Sequence, residues 1–214
     1  LVGMAPRVYA PVLASHGERT FGAAVTGVDA QREAVASTLD EGITQGRWLQ
    51  PGDTNAAVVG RMLARNLGVT VGGELVFLGQ GRDGSTAAAR LTVVGLYSLG
   101  IDTLDRSTFA VPLDVVQDAF AMRGGVTEIA LLLEDDLFRE EAAAEAERRL
   151  AGRSDVVVLG WPRIMPGMAQ IIRIDWVSGI IMYTVLVLVV GFGIANTFLM
   201  AFFERAAVEA AFDD

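Results

Sequence analysis

The chain has 214 residues, of which 52% are hydrophobic and 20% charged, with a formal net charge of −9. This is too apolar for a disordered chain, and an acidic balance without a basic cluster argues against a nucleic-acid partner. The absence of cysteine excludes disulfides, thiolate metal sites and cysteine nucleophiles, and the single histidine, His16, excludes a multi-histidine zinc site within the chain.

In chain order, FGAAVTGV predicts a strand over 21–28, ending at Asp29, and a short helix is expected over 34–38. The stretch 41–53, with three glycines and a proline, reads as a loop carrying Trp48. There Trp48 either contacts a partner or covers the edge of the core. Apolar residues at Val58, Val59, Met62, Leu63 and Leu67 predict a helix over 55–67, capped by Asp53 or Thr54 and stopped by Gly68. Strands over 74–78 and 89–97 flank GQGRDGSTA, a hairpin loop. Asp102 and Asp105 fall in an expected solvated loop over 100–107. A strand over 108–111 leads to Pro112 as the first residue of a helix reaching about Met122. TEIALLL predicts a strand over 127–133, followed by a helix over 137–151 and a last strand over 155–159. Strands and helices alternate irregularly around at least one hairpin, so the fold class is α+β rather than a doubly wound parallel sheet.

The C-terminal part differs in kind. From Trp176 to Phe203 there is no charged residue, a run of 28. A helix of that length spans about 42 Å, against about 30 Å for a bilayer's hydrocarbon core. The run therefore reads as a membrane-spanning helix, with Asp175, Glu204 and Arg205 marking its wet ends. Gly191, Gly193 and Ala195 are small, and Asn196 and Thr197 are polar. Small residues admit a neighbouring helix and an amide in lipid needs a partner, so Gly191, Gly193 and Asn196 are expected to make helix contacts. The other use of Asn196 would be to line an ion path. Before the run, Met165, Met168, Ile171, Ile172 and Trp176 form a helical stripe. Met165, Met168 and Ile172 are read as a stalk that continues into the membrane without a flexible linker. The other reading lays the stripe on the membrane surface or on the domain. The expected organisation is a domain over 1–160, a stalk over 161–176, a membrane helix over 177–203 and a stub over 204–214.

Catalytic signals are weak. The loop Gly79-Gln80-Gly81-Arg82-Asp83-Gly84 lacks the lysine of a phosphate loop and joins two strands, so a hairpin turn explains it better. The acids Glu134, Asp135 and Asp136 either bind a cation or favour a helix N-terminus. His16 reads as a surface loop residue. No catalytic constellation, cofactor site or metal site is expected.

Four segments carry a family resemblance. They are VTGVDAQREAVASTLDEGITQGRWLQPGD (25–53), AAVVGRMLARNLGVTVGGELVFL (56–78), LTVVGLYSLGIDTLDRSTFAVPLDVVQ (91–117) and GFGIANTFLMAFFER (191–205). In content, order and spacing the sequence resembles the extracytoplasmic domain and following membrane helix of MacB/FtsX-like ABC transporter permeases, nearest to the lipoprotein-releasing LolC/LolE type. The tail after Arg205, AAVEAAFDD, departs from that family's usual segment. The resemblance implies a piece of a multi-pass protein of the cytoplasmic (inner) membrane, with residues 1–175 outside and further membrane helices beyond the chain. It implies mechanotransmission: a separate ABC ATPase subunit hydrolyses ATP, and the stalk moves the outer domain, which releases a lipoprotein or exports a substrate. It also implies a second permease, alike or different, contact with membrane lipid, a lipoprotein or periplasmic partner, and Glu204 and Arg205 at the cytoplasmic boundary. The competing expectations are a division-type scaffold that activates a cell-wall hydrolase and a membrane-anchored extracytoplasmic binding or enzyme domain.

Overall fold

A computed structural model describes residues 2–134, 139–164 and 166–212. The chain divides into two compact units, 1–136 and 137–214. The first unit mixes strands and helices, as expected of an α+β fold. It is organised by β1 (Gly3–His16), a strand of 14 residues. β1 pairs antiparallel with β8 (Glu128–Leu132) through residues 3–7 and with β2 (Arg19–Val28) through residues 7–16. It also pairs with β5 (Glu74–Gln80) through residues 13–15. The remaining path runs from β5 through β6 (Thr86–Tyr97), β4 (Ala56–Gly60) and β7 (Thr108–Pro112) back to β2. The sheet thus closes on itself, with β8 as a spur on β1 and β3 (Ile43–Gly46) pairing with β6.

Alternation along the strands sends one set of side chains to each face. Val8, Val25, Val59, Phe77, Val93 and Phe109 enter the main core, which α2 (Arg61–Leu67) and α4 (Leu113–Ala119) complete. Phe77 lies 6.0 Å from Phe120 and 6.1 Å from Phe109 between ring centres. On the other face Val28, Leu49, Ala56, Val58, Tyr97 and Ala110 form a smaller core. α1 (Ala30–Ala36) lies against β1, and its fully buried Glu33 takes two hydrogen bonds from Arg7, at 2.9 and 2.7 Å. Arg7 also reaches Glu128 at 3.0 Å, which joins α1, β1 and β8.

Several expected elements differ. The helix predicted over 55–67 is strand β4 followed by the shorter α2. β4 lies between β6 and β7 and is buried on both faces, so its apolar run carries no period-2 signal and imitates a helix. Gly60, and not Asp53 or Thr54, occupies the N-cap of α2. Gly68 ends α2 as expected, in the left-handed region at φ 75°. β1 has no counterpart among the elements expected from the sequence, and it carries Pro6 and Pro11, a residue type that most strands exclude. Each proline sits where β1 pairs on one side only, Pro6 with β8 and Pro11 with β2. The loop read over 41–53 contains β3, and the helix expected over 34–38 is α1. The loop read over 100–107 contains α3 (Asp102–Ser107). Asp105 is buried there, not solvated, and accepts from Ser98 Oγ at 2.5 Å and Leu99 N at 2.8 Å. Pro112 is the N-cap of α4 rather than its first residue, and α4 ends at Ala119. His16 is the last residue of β1, half-buried, with Nδ1 2.6 Å from the Glu74 carbonyl. The β5–β6 hairpin forms as read, with Asp83 Oδ1 accepting from Ser85 N.

In the second unit α5 (Arg139–Arg149) is followed by irregular chain, so the strand expected over 155–159 is not formed. The short α6 (Trp161–Ile164) precedes α7 (Pro166–Phe212), a helix of 47 residues. Asp135 and Asp136 of the acidic cluster lie outside the described residues.

Replacing Glu33 with alanine is expected to lower the unfolding free energy by about 2 kcal/mol. That is below the usual cost of breaking a buried pair, because Arg7 keeps Glu128 and some water. Thermal melts of the Glu33→Ala and wild-type proteins at neutral pH check it, and equal melting temperatures would contradict the tie.

Candidate functional site

The loop between β3 and β4 is the most elaborated surface of the first unit. Gly46 leaves β3 at φ 75°, and a side chain on Gly95 of β6 would collide with the Arg47 carbonyl, so the loop backbone lies directly on β6. Arg47 N donates to the Val94 carbonyl at 3.0 Å. The Arg47 guanidinium then closes the loop, donating through Nη1 and Nη2 to the two oxygens of Asp53 at 2.8 and 2.9 Å. Nη1 also donates to the Trp48 carbonyl at 3.0 Å, and Gln50 N donates to Asp53 Oδ2 at 2.8 Å. The Arg47 hydrogen bonds hold the Asp53 carboxyl below its ordinary value of 3.8.

Trp48 follows Arg47 in this loop. Its ring packs on the edge of the smaller core, half-buried, and its indole N–H is buried without a hydrogen-bond partner among the described residues. Beside the loop lies a cleft of about 370 Å³ between Gln50–Thr54 and the starts of α1 and α4. Asp29, Asp53 and Asp114 line it, with no basic side chain among the lining residues. Each carboxylate is already engaged: Asp29 caps α1 through Gln31 N and Arg32 N, Asp53 holds Arg47, and Asp114 accepts from Val115 N. Under the same core, Thr108 donates to the Leu104 carbonyl, so the Tyr97 hydroxyl donates to Thr108 Oγ1, at 2.5 Å. Burial pushes the Tyr97 hydroxyl up to about 12. No group of three or more metal-ligating side chains occurs among the described residues. The arrangement is a braced surface loop beside an acidic cleft whose carboxylates are all engaged within the chain.

The other sequence-derived residues lie on α7. Met168 and Ile172 are both exposed on its first turns. Met165 lies outside the described residues, and for Glu204 and Arg205 the helix backbone is described but not the side chains. Gly193 and Asn196, three apart, share a face, whereas Gly191 stands about 200° of rotation before Gly193, on the opposite side. Thr197 Oγ1 is satisfied by the Gly193 carbonyl at 2.9 Å. α7 is the one helix among the described residues long and apolar enough to cross a membrane. The residues that sequence reasoning missed are the braces Arg7–Glu33 and Arg47–Asp53. For the second pair, opposite charges at the two ends of a loop with glycine and proline were the available signal.

The MacB-like periplasmic core domain family matches residues 1–149. The chain belongs to that family. Over 214 residues it is 26% identical to the lipoprotein-releasing system transmembrane protein LolC of Xylella fastidiosa, covering 97% of this chain and 51% of that protein. The chain thus spans about half the length of the curated relatives it matches. The extracellular domain of the noncanonic ABC-type transporter YknZ from Gram-positive bacteria superposes with a TM-score of 0.53 at 16% identity, over 73% of this chain and 78% of that one. The periplasmic region of MacB from Actinobacillus actinomycetemcomitans gives 0.52 at 17% identity, over 78% and 75%. These two likenesses concern the fold. The family match rests on the periplasmic core domain, and the relative matched along the chain is a transmembrane protein of a lipoprotein-releasing system.

A pH series tests the loop brace. Asp53 titrates lower folded than unfolded, so its contribution is complete at neutral pH and is lost as pH falls below about 4 through the depressed folded value. Arg47 is well exposed, so the contribution is about 1 kcal/mol or less. Asp53→Asn is expected to melt below wild type at pH 7, with the gap closing towards pH 3. A gap independent of pH would contradict the ion pair.

Proposed function

We propose that the chain is the permease part of an ABC transporter of the mechanotransmission type, in the cytoplasmic membrane. Residues 1–160 stand outside, 161–176 form a stalk, 177–203 cross the membrane and 204–214 enter the cytoplasm. The observation that carries this reading is the continuity of α7. Its 47 residues extend about 70 Å, and the bilayer core takes about 30 Å of that. A helix that is stiff over both stretches transmits displacement, which a glycine–serine tether would absorb. In this reading a separate ATPase dimerises on ATP, the helix shifts, and the outer domains of two permeases move relative to each other. Glu204 and Arg205 sit at the ATPase side, and Gly191, Gly193 and Asn196 contact neighbouring membrane helices. The Trp48 loop, braced by Arg47 and Asp53, faces a periplasmic partner. Lipoprotein release is the favoured task, supported by the likeness to LolC along nearly the whole of this chain.

The test is to purify the full-length protein from membranes with the products of neighbouring genes and to assay ATP hydrolysis. An ATPase is expected to co-purify, and Glu204→Ala together with Arg205→Ala is expected to abolish the stimulation that the permease gives it. A protein that spans the membrane once and retains no ATPase would refute the transporter reading.

A further inference from the structure

Charge is sorted along three neighbouring strands of the first unit. β2 begins at Arg19 and is followed by Asp29, β7 lies between Arg106 and Asp114, and β4 lies between Asp53 and Arg61. β2 and β7 are parallel, and β4 is antiparallel to β7. The three arginines therefore fall at one end of these strands and the three aspartates at the other. α2 and α3 gather the arginines. A side chain on Gly60 would collide with the Asp105 carbonyl, so the start of α2 lies directly against α3, and Arg61 and Arg106 are the next residues along. Arg65 follows Arg61 by one turn, about 40° around and about 6 Å along the helix. At the other end of α2 the Arg19 guanidinium reaches the Asn66 carbonyl at 3.4 Å. Arg106, Arg61, Arg65 and Arg19 thus form a row that follows α2 from start to end, and all four are exposed. Of the ten arginines up to residue 136, Arg7, Arg32, Arg47, Arg90 and Arg123 form ion pairs, and these four form none among the described residues.

Half of this row works against the fold. Arg61 opens α2, at the positive end of the helix dipole, where a cation is unfavourable. Arg61 and Arg65 are like charges one turn apart, which repel. Only Arg65 and Arg19, at the last turn, suit the dipole. We infer that the row is a docking surface for the carboxylate-rich face of a soluble partner protein. Guanidinium forks match carboxylates, and opposite charge steers such a partner to the row. Two acids fix the size of the occupant. Glu18 is exposed beside Arg19, and Asp102 is exposed one turn before Arg106, so the row is bounded at both ends. A linear polyanion running past the row would meet them, whereas a protein face of matching size would not. Position narrows the occupant further. The chain leaves this unit from β8, whose Leu132 pairs with Gly3 beyond the aspartate end. The row is at the opposite end, open to a protein that approaches from solution. A second copy anchored in the same membrane would bring the same end alongside, arginine against arginine, and like charges face to face are unfavourable.

The test uses the full-length protein in nanodiscs of zwitterionic lipid, with fluorescent poly-L-glutamate as the acidic probe and anisotropy as the readout. Wild type is expected to bind at low salt and to weaken as the screening length falls from about 10 Å to about 3 Å. Arg61→Glu together with Arg65→Glu is expected to weaken binding about tenfold or more. Arg82→Glu, at the tip of the β5–β6 hairpin, is expected to leave binding unchanged. Arg61→Gln together with Arg65→Gln removes the charges without reversing them, is expected to give a smaller loss, and serves if the reversed variant does not fold. A wild type that does not bind, or binding indifferent to both double variants, overturns the row as a docking surface. Tighter binding of inorganic polyphosphate than of poly-L-glutamate overturns the protein partner in favour of an anionic polymer. Capture of wild type, but not of the double variants, by phosphatidylglycerol vesicles overturns it in favour of lipid. A salt-sensitive dimer lost in the double variants overturns it in favour of a second copy. ATP hydrolysis enters none of these outcomes, so the transporter reading stands or falls separately.

Discussion

The pairing of β1 with three other strands is the constraint on which the outer unit depends. A strand of ordinary length has room for two neighbours, and β1 is long enough to take β8 along residues 3–7, β2 along 7–16 and β5 on the opposite edge at 13–15. Because it holds both β2 and β5, the sheet has an inside, and Val8, Val12, Val25, Phe77 and Phe109 can meet there. Remove that closure and the smaller core loses its support as well. Val28 and Ala110 alternate with main-core residues on the same strands, so a slip of one residue would exchange the two faces. The register that fills one core therefore fills the other.

Much of this was legible in the residues. The β5–β6 hairpin and the stop at Gly68 follow from local chemistry that acts within a few residues. In two of the misreadings long-range pairing overrode a local signal. Ala56–Gly60 looks helical because both its faces are covered by strands distant in sequence. Pro6 and Pro11 look incompatible with a strand until the places where β1 has an open side are known. Asp105 looks like a loop acid, and becomes a core acid because Ser98 and Leu99 turn to meet it. The candidate partner loop was visible through Trp48 and its glycine-rich setting. What holds it was signalled only by the opposite charges of Arg47 and Asp53 near the two ends of the loop, a pattern that does not by itself say they face each other.

The two units rest on opposite kinds of stability. The first is secured by interdigitated side chains and by braces such as Arg7–Glu33, which fix helix to sheet. The second is dominated by α7, whose backbone hydrogen bonds are internal to the helix, so α7 needs no core to remain helical where water is absent. Its apolar side chains are exposed along its length.

The spur β8 has a consequence for anyone handling the outer unit by itself. Among the described residues it pairs with β1 alone, leaving one row of backbone donors and acceptors open, and Ile129, Leu131 and Leu132 are exposed beside that row. No lysine is available anywhere in the chain to guard such a margin. Concentrated preparations of that unit will self-associate edge to edge, and a charged residue grafted at Ile129 or Leu131 is the remedy the geometry offers.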